Sequence, residues 1–492
     1  MAEQSLKDKT AKGILWGGLS NGMMQLLNAV FGIVIAKILS PAEYGVVGMI
    51  AIFSTLAGSL QEGGFISALT NRKNASKLDF DSVFAFNVSV SLLLYCILWI
   101  AAPTIAGFFH EPVLIPLSRY AFTGFVVASL SVVPRAILFR QMKVKEQSII
   151  SIVSLLISGV TGVIMALSGA SYWGIATQPI VYVSGVTVMS WYVSGYRPSL
   201  HISLLPIKEM FGFSSKLIIT NIFTAINNNV FSIILGRYYS KQEVGEYNQA
   251  NKWNLMGSQL ISGMVQGVAQ PMFVQVSDDD QRLRRVFRKM LRFTALISFP
   301  LMLGLSLVAE DFIVMLIGEK WVSSSHILSV LCIAGMFMPI QTLYSNFIIS
   351  RGKSNVNMMN TISMGLAILA MLYVEGKYKV SLFSLHGVEL MVVSFVIIYV
   401  SWLLIWHYFV WREIKLPFLA AMKDTLPFLV VALASMTASY YAGAGMVNIY
   451  LRFATRVLVE AGVYIVILYL SGAKILRESL QYLRHKKKKE QA

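Results

Sequence analysis

Long apolar runs and short polar connections alternate along almost the whole chain. About 20 apolar residues in a helix cross a bilayer, and a backbone inside lipid must satisfy its own hydrogen bonds, so runs of this length predict membrane-spanning helices. The candidate spans lie at approximately 14–38, 44–69, 82–108, 114–138, 148–168, 171–194, 211–236, 246–274, 290–309, 326–349, 357–375, 381–406, 424–443 and 448–471. The pattern therefore predicts an all-α integral membrane protein with 14 transmembrane helices.

The composition agrees with a chain that faces lipid. Hydrophobic residues occupy 56% of the 492 positions and charged residues only 13%, whereas a soluble domain is about 25% charged. The two cysteines, Cys96 and Cys332, lie in apolar runs, and the six histidines show no metal-ligand spacing. We therefore expect neither a cofactor nor a metal.

Lysine and arginine are concentrated in alternate connections between the spans. They include the cluster "RLRRVFRKMLR" at 282–292 and the tail "RHKKKK" at 484–489. Cytoplasmic loops carry an excess of these residues, so both termini are predicted to lie in the cytoplasm. The net charge of +17 then reflects membrane topology, and we expect no nucleic-acid partner. Because no connection is long enough for a soluble catalytic domain, the sequence argues against a membrane glycosyltransferase or polymerase, and against an enzyme in general.

The sequence at the end of the first span recurs at the end of the seventh. "FGIVIAKILSPAEYG" (31–45) and "FSIILGRYYSKQEVG" (231–245) share Phe, Ile, Ser, Glu and Gly at the same offsets, without a gap. Polar and glycine matches in this register are less expected by chance than apolar ones. They are Asn21/Asn221, Asn28/Asn228, Ser40/Ser240, Glu43/Glu243 and Gly45/Gly245. For the two glutamates we favour a capping role at the start of the next helix.

This repeat predicts the domain organisation. Six spans separate the two copies, so they have the same orientation, and parallel repeats are related by an axis along the membrane normal. We expect a MATE-like pair of six-helix lobes with a transport path between them. The predicted parts are an N-terminal lobe at 1–200, a C-terminal lobe at 201–410, spans 13 and 14 at 411–473, and a basic cytoplasmic tail at 474–492.

Amide side chains form stripes within three predicted spans. Residues four or seven positions apart share a helix face, and polar groups avoid lipid, so such a face should look into the bundle or a wet cavity. Interhelical hydrogen bonds, worth about 0.6 kcal/mol each, remain the alternative, although stripes at repeat-equivalent positions favour a cavity wall. The stripe residues are Asn21, Gln25 and Asn28 in span 1, Asn221, Asn228 and Asn229 in span 7, and Gln259 and Gln266 in span 8.

Charged residues within the spans leave several interpretations open. Lys252 either faces an anionic ligand or carboxylate or extends toward the outer interface. Glu62 could pair with Lys252, bind a coupling cation or proton, or lie near the cytoplasmic end of its helix. Arg452 and Arg456 could extend to the interface or contact phosphate, and Arg456 could also pair with Glu460.

Three segments carry a resemblance to a known family. They are "LSPAEYG" after span 1, "FRQMKVK" after span 4 and "LVAEDFIVMLIGEKWVSSSHILSVLCIAGM" at 307–336. In order and spacing they resemble Wzx-type polysaccharide flippases, particularly the WzxC-like colanic acid exporter group. That group belongs to the multidrug/oligosaccharidyl-lipid/polysaccharide exporter (MOP) superfamily. Within the third segment, "DFIVMLIGEKW" could lie along the outer interface with Trp321 as an anchor, although we favour a packed Trp321.

The resemblance implies a transporter in the bacterial inner membrane. Such a protein flips undecaprenyl-diphosphate-linked oligosaccharide from the cytoplasmic to the periplasmic leaflet by alternating access, coupled to a gradient of H⁺ or Na⁺. The cargo would serve O-antigen, capsule or exopolysaccharide. Lys252, Lys216 and Arg119 suit a diphosphate, a lipid tail could lie beside spans 13 and 14, and the stripe amides suit sugar hydroxyls. The amides assigned to the cavity are Gln25, Asn28, Asn228, Asn229, Gln259 and Gln266.

An ion-coupled multidrug antiporter of the same fold is the alternative function. A site for cationic drugs would need buried carboxylates, whereas the charges predicted within these spans are mainly basic. The sequence therefore favours an anionic cargo.

Overall fold

The computed structural model describes residues 2–62, 66, 69–70, 72, 75–199, 201–276, 278–382 and 385–472. Within these ranges it leaves out the side chains of 2–15, 17–19, 54, 56–62, 211–221, 224, 268, 270–271 and 382. The chain divides into two compact units, Met1–Gly245 and Glu246–Ala492. The first unit therefore extends past the predicted lobe boundary at residue 200.

The described part of the first unit is helical. Its helices are α1 (Ala2–Ile38), α2 (Pro41–Glu62), α3 (Lys77–Phe109), α4 (Leu114–Ala121), α5 (Thr123–Ser129), α6 (Val132–Arg140), α7 (Val144–Leu167), α8 (Tyr172–Ser194), α9 (Leu204–Tyr238) and the beginning of α10 (Lys241–Gln275).

Helices also dominate the described part of the second unit. They are the rest of α10, α11 (Asp280–Leu307), α12 (Ala309–Ile317), a 3₁₀ turn (Glu319–Trp321), α13 (Val322–Gly335), α14 (Met338–Ser350), α15 (Ser354–Tyr378), α16 (Gly387–Ile414), α17 (Phe418–Ala442) and α18 (Ile449–Leu470). A hairpin of two-residue strands, β1 (Ser381–Leu382) and β2 (Leu385–His386), precedes α16, with Ser381 opposite His386.

The prediction of a helical membrane protein is confirmed. Among the described residues, 10 segments are long and apolar enough to cross a membrane. The predicted spans 2, 6, 7 and 8 lie on helices α2, α8, α9 and α10, which are not among those 10 segments. The total of 14 transmembrane helices stays a prediction.

Two predicted spans are divided into shorter helices. The fourth span runs through α4, α5 and α6. The tenth runs through α13 and α14, and Pro339 stands in the first turn of α14. A proline has no N–H to donate, so it is tolerated at a helix start but interrupts a continuous helix.

Small residues allow α7 and α8 to pack closely in the first unit. The Ser158 hydroxyl donates to the Gln178 carbonyl at 2.7 Å. A Cβ at Gly162 would overlap the Gln178 side chain, and a Cβ at Gly185 would crowd Ser154. Interfaces of this kind are characteristic of helix packing in lipid, where close backbone approach replaces the hydrophobic effect.

The connection between α8 and α9 is fastened to the beginning of α3. Tyr196 donates to one carboxylate oxygen of Asp81 at 2.6 Å, and Ser199 donates to the other at 2.5 Å. Burial, together with the adjacent Asp81 carboxylate, raises the pKa of Tyr196 above its ordinary value. The phenol therefore remains a hydrogen-bond donor, and this connection is held in place.

Candidate functional site

The repeated turns have the same local structure. In the first turn, the Ser40 N–H and hydroxyl both donate to Glu43 at 2.7 Å, and the Glu43 N–H donates back to the Ser40 hydroxyl. Ser240 and Glu243 form the same three bonds in the second turn. This reciprocal pattern is a capping box, which satisfies N–H groups at a helix start. The capping role predicted for the two glutamates is confirmed.

The two turns also contact each other through their glycines. A Cβ at Gly45 would overlap the Lys241 carbonyl, and a Cβ at Gly245 would overlap the Pro41 carbonyl. The contact is reciprocal, because position 41 matches 241 and position 45 matches 245 in the repeat register. Hydrogen in place of a side chain lets the beginnings of α2 and α10 approach backbone to backbone.

Polar contacts hold the end of α3 against the second turn. The Arg237 guanidinium donates to the Phe108 carbonyl at 2.6 Å and lies 3.2 Å from the His110 ring nitrogens. The Lys241 ammonium lies 3.2 Å from the Glu111 carboxylate. These contacts all lie within the first unit, and their charged groups are only partly buried.

The amide stripe of α1 is exposed. Asn21, Gln25 and Asn28 are all accessible, although they lie within Ser20–Ile38, an apolar segment long enough to cross a membrane. On α9, Asn228 is exposed, and half-buried Asn229 donates to the Ala225 carbonyl at 2.8 Å. Polar groups exposed inside a span need water or a polar ligand, so these positions have the accessibility that a cavity wall requires.

In the second unit, the stripe of α10 combines amides with a cation. Gln259 and Gln266 are exposed, and Lys252 is partly buried. The Lys252 ammonium lies 5.9 Å from the ring centroid of Trp253, whose ring packs edge-on against Phe312. The described residues show no ion pair for Lys252, so its charge remains available to an anion.

Of three other residues predicted to contact cargo or a coupling ion, only Arg119 has a described side chain. Arg119 stacks on Trp99, with its guanidinium carbon 3.8 Å from the ring centroid, and donates to the Trp99 carbonyl at 3.3 Å. This guanidinium is therefore already engaged by α3. Lys216 and Glu62 lie on α9 and α2, but their side chains are outside the described part of the chain.

Arg452 and Arg456 converge on one buried carboxylate. Asp311 is fully buried and accepts from both guanidiniums, at 2.8 Å from Arg452 Nε and 3.1 Å from Arg456 Nη1. Pairing of Arg456 with Glu460 is thus wrong for this conformation, because α12 places Asp311 against the first half of α18. Sequence analysis missed Asp311, whose only local signal is an acidic residue in the first turn of a short apolar helix.

The segment that contains Asp311 packs on its own unit. Trp321 is completely buried, so it does not act as an interfacial anchor, in agreement with the packed position favoured from sequence. A large aromatic ring in the core and a two-arginine ion pair hold α12 and the 3₁₀ turn in place. The alternative of an interface-lying segment anchored by Trp321 is therefore excluded.

Other basic residues of the second unit also pair with carboxylates. Arg288 binds Asp424 with two hydrogen bonds, at 2.6 and 3.0 Å. Glu413 pairs with Arg351 and Lys353. Asp424 and Glu413 neutralise part of the predicted cytoplasmic positive charge, so the net charge of the sequence overstates the basic surface that is free to attract a ligand.

The described residues contain no cluster of three or more His, Cys, Asp or Glu side chains able to hold a metal. Accessible amides lie on α1 and α9 in the first unit, and accessible amides with one partly buried cation lie on α10 in the second. Amides form hydrogen bonds with hydroxyl groups, and an ammonium attracts phosphate. These features of a helical, multi-pass membrane protein are those expected of a membrane transporter.

The comparisons with known proteins identify the family. The family described as "Polysaccharide biosynthesis protein" matches residues 34–326, and the chain belongs to it. The chain is 25% identical over 359 residues to WzxC, the lipopolysaccharide biosynthesis protein of Escherichia coli K12, covering 72% of each chain. It is 23% identical over 483 residues to the succinoglycan biosynthesis transport protein ExoT of Rhizobium meliloti, covering 97% of this chain and 96% of ExoT.

Solved structures show the same fold. The inward closed conformation of the lipid II flippase MurJ has a TM-score of 0.77 at 16% identity, over 94% of this chain and all of MurJ. An inward-facing multidrug transporter of the MATE family, in the MOP superfamily, has a TM-score of 0.60 at 15% identity, over 84% of this chain and 95% of the other. The predicted relationship to Wzx-type flippases of that superfamily is confirmed.

Proposed function

We propose that the protein flips an undecaprenyl-diphosphate-linked oligosaccharide from the cytoplasmic to the periplasmic leaflet of the bacterial inner membrane. The oligosaccharide would be a unit of O-antigen, capsule or exopolysaccharide. The observation that carries this proposal is the exposed amide stripe of α1 in a member of a polysaccharide biosynthesis family. Relatives named for lipopolysaccharide and succinoglycan biosynthesis support the same cargo class.

Alternating access is the proposed mechanism, with both termini in the cytoplasm. Two lobes at 1–200 and 201–410 would be related by a pseudo-twofold axis along the membrane normal. The reciprocal contact of Gly45 and Gly245 supports this arrangement. Division of both the fourth and the tenth predicted spans supports it as well, since these spans occupy equivalent positions in the two lobes.

The cargo would meet the amides through its sugars and the cations through its diphosphate. Lys252 is the proposed principal cation, because Arg119 is already engaged by Trp99. Lys216, Gln25, Asn28, Asn228, Asn229, Gln259 and Gln266 complete the proposed cavity. Arg452 and Arg456 are weaker candidates for a diphosphate contact, since Asp311 already binds both guanidiniums.

Lys252→Ala is expected to reduce export of the surface polysaccharide by roughly 10- to 150-fold, without reducing the amount of protein in the membrane. Loss of one charge-assisted contact of about 1.5–3 kcal/mol gives an effect of this order. The measurement is surface polysaccharide per cell in a complemented flippase-deficient strain. Lys423→Ala, which removes an exposed lysine from the same unit, is the matched control. Normal export by Lys252→Ala would remove this residue from the site.

The function itself is tested in strains that each lack one defined Wzx-type flippase. Expression of this protein should restore surface polysaccharide in at least one strain and relieve the accumulation of lipid-linked oligosaccharide. Resistance to cationic drugs without any restoration of polysaccharide would instead establish the multidrug antiporter. Failure in every strain, with the protein present in the membrane and no drug phenotype, would contradict both functions.

A further inference from the structure

A groove on the second unit contains a carboxyl group that the proposed cargo path does not use. It lies between α11 and α18, has a volume of about 520 Å³ and is lined almost entirely by apolar side chains. Glu460 is its acidic residue. The side chain is 96% buried (4% exposed), and its Oε1 has no hydrogen-bond partner among the described residues.

The backbone opposite Glu460 is shaped to receive the carboxyl group. A Cβ at Gly304 would overlap both carboxyl oxygens, the nearer at 2.6 Å. One turn away on α11, Pro300 cannot donate to the Leu296 carbonyl. The Tyr464 hydroxyl makes that bond instead, at 2.9 Å. Gly304, Pro300 and Tyr464 thus leave space for the Glu460 carboxyl group but donate no hydrogen bond to it.

The position along α18 makes an ionised carboxylate costly. Glu460 lies near the middle of this 22-residue helix, about 16 Å from either end at 1.5 Å per residue. A charged side chain at the centre of a bilayer costs at least about 2.5 kcal/mol, and an unpaired buried carboxylate has nothing to offset this cost. A proton on the carboxyl group removes the charge.

Among the described residues, few charged and titratable groups lie around Glu460. On α18 itself they are Arg456, one turn toward the outer end, and Tyr464, one turn toward the other end. From α12, Asp311 faces Arg456, and from α17 the Tyr440 ring lies 5.8 Å from the Arg456 guanidinium. The α11 residues that line the groove are apolar or glycine. Arg456 is the cation one helical turn from Glu460, and its Nε also has no partner among the described residues.

We propose that Glu460 is a proton-binding site that is occupied when Arg456 is held by Asp311. Arg456 and Glu460 are four residues apart on one helix, the spacing at which side chains meet. When α12 moves away from α18, Arg456 turns to Glu460, and the proton leaves Glu460 for water. The carboxyl O–H bond breaks in this step and an ion pair replaces it. A link between this exchange and cargo movement rests on the proposed flippase function.

Carbodiimide labelling tests the occupancy of the site directly. Dicyclohexylcarbodiimide reacts with protonated carboxyl groups in apolar surroundings, so purified protein in liposomes should be modified at Glu460, as measured by mass spectrometry. Labelling should decrease as the pH is raised. Gly304→Ala, which fills the space opposite the carboxyl group, should reduce labelling severalfold. Absence of labelling at Glu460 across the whole pH range, while other carboxyl groups react, would overturn the proposal.

Thermal unfolding of Glu460→Gln provides the second readout, because glutamine has the shape and neutral charge of the protonated acid. The wild-type protein binds this proton more tightly when folded than when unfolded, so its Tm should fall as the pH rises. Glu460→Gln should match the wild-type Tm at low pH and lose that part of the pH dependence. A lower Tm for Glu460→Gln at every pH would indicate a permanent ion pair and overturn the proposal. Both tests use purified protein, so their outcome does not depend on export.

Discussion

Replacing Gly245 with alanine is expected to reduce export by about 5- to 150-fold while leaving the amount of protein in the membrane unchanged. The added methyl group would overlap the Pro41 carbonyl. Overpacking of a close contact costs about 1–3 kcal/mol. A cost of this size shifts the equilibrium between touching and separated turns by about 5- to 150-fold. Gly45→Ala should have a similar effect, because its methyl group would overlap the Lys241 carbonyl. Surface polysaccharide in the complemented strain measures the loss.

Separation of the two turns at the beginnings of α2 and α10 can be measured independently of export. In a variant without Cys96 and Cys332, Ala42→Cys should react faster with a membrane-impermeant maleimide once Gly245→Ala is added, because the two turns separate. The matched control is Gly107→Ala on α3, where an added Cβ meets no described atom within 4 Å. Normal export by both Gly45→Ala and Gly245→Ala would show that the turns need not meet during transport.

Asp311→Asn is expected to lower the stability of the second unit by about 3–5 kcal/mol, the cost of breaking a buried ion pair by removing one partner. Asp311 is fully buried and neutralises two guanidiniums that are themselves mostly buried. Without the negative charge of Asp311, the neighbouring guanidiniums of Arg452 and Arg456 repel each other. The measurement is the Tm of the purified protein, followed by intrinsic tryptophan fluorescence.

Glu310→Gln is the control for this prediction. It removes an acidic charge from the adjacent position, which is exposed, and surface substitutions usually change stability by no more than about 0.5 kcal/mol. Equal Tm values for Asp311→Asn and Glu310→Gln would show that the buried ion pair contributes little. A decrease confined to Asp311→Asn would also explain any loss of export as a loss of folded protein.

Local sequence was sufficient to predict the repeated turns. Ser40 and Glu43 are three residues apart, as are Ser240 and Glu243, and a capping box depends only on that spacing and on the helix that follows. Ten of the predicted spans were recognisable for a similar reason, since their length and composition must match the thickness of the bilayer. Lys252 and the amide stripes were predictable as polar positions on one face of a helix, although their contact with cargo stays a prediction.

Partners of the charged residues were not predictable in the same way. Glu460, four residues away, was the one protein partner considered for Arg456, because sequence reveals only local partners. Its actual partner Asp311 lies 145 residues earlier. Trp99 was not considered as a partner of Arg119, 20 residues away. Each of these pairs depends on how one helix packs against another, which the pattern of a single helix does not specify.

The sequence by itself determined that this is a helical membrane protein with a repeated, capped turn, which follows from composition, helical periodicity and short-range spacing. The relationship to polysaccharide exporters came from the resemblance of three segments to that family. Only the tertiary structure decided that Gly45 and Gly245 make a reciprocal contact, that Asp311 holds two arginines, and that Glu460 lies unpaired opposite Gly304. The physical reason is that contacts between distant residues are set by the packing of whole helices, and a difference of one turn in that packing would give every charge a different neighbour.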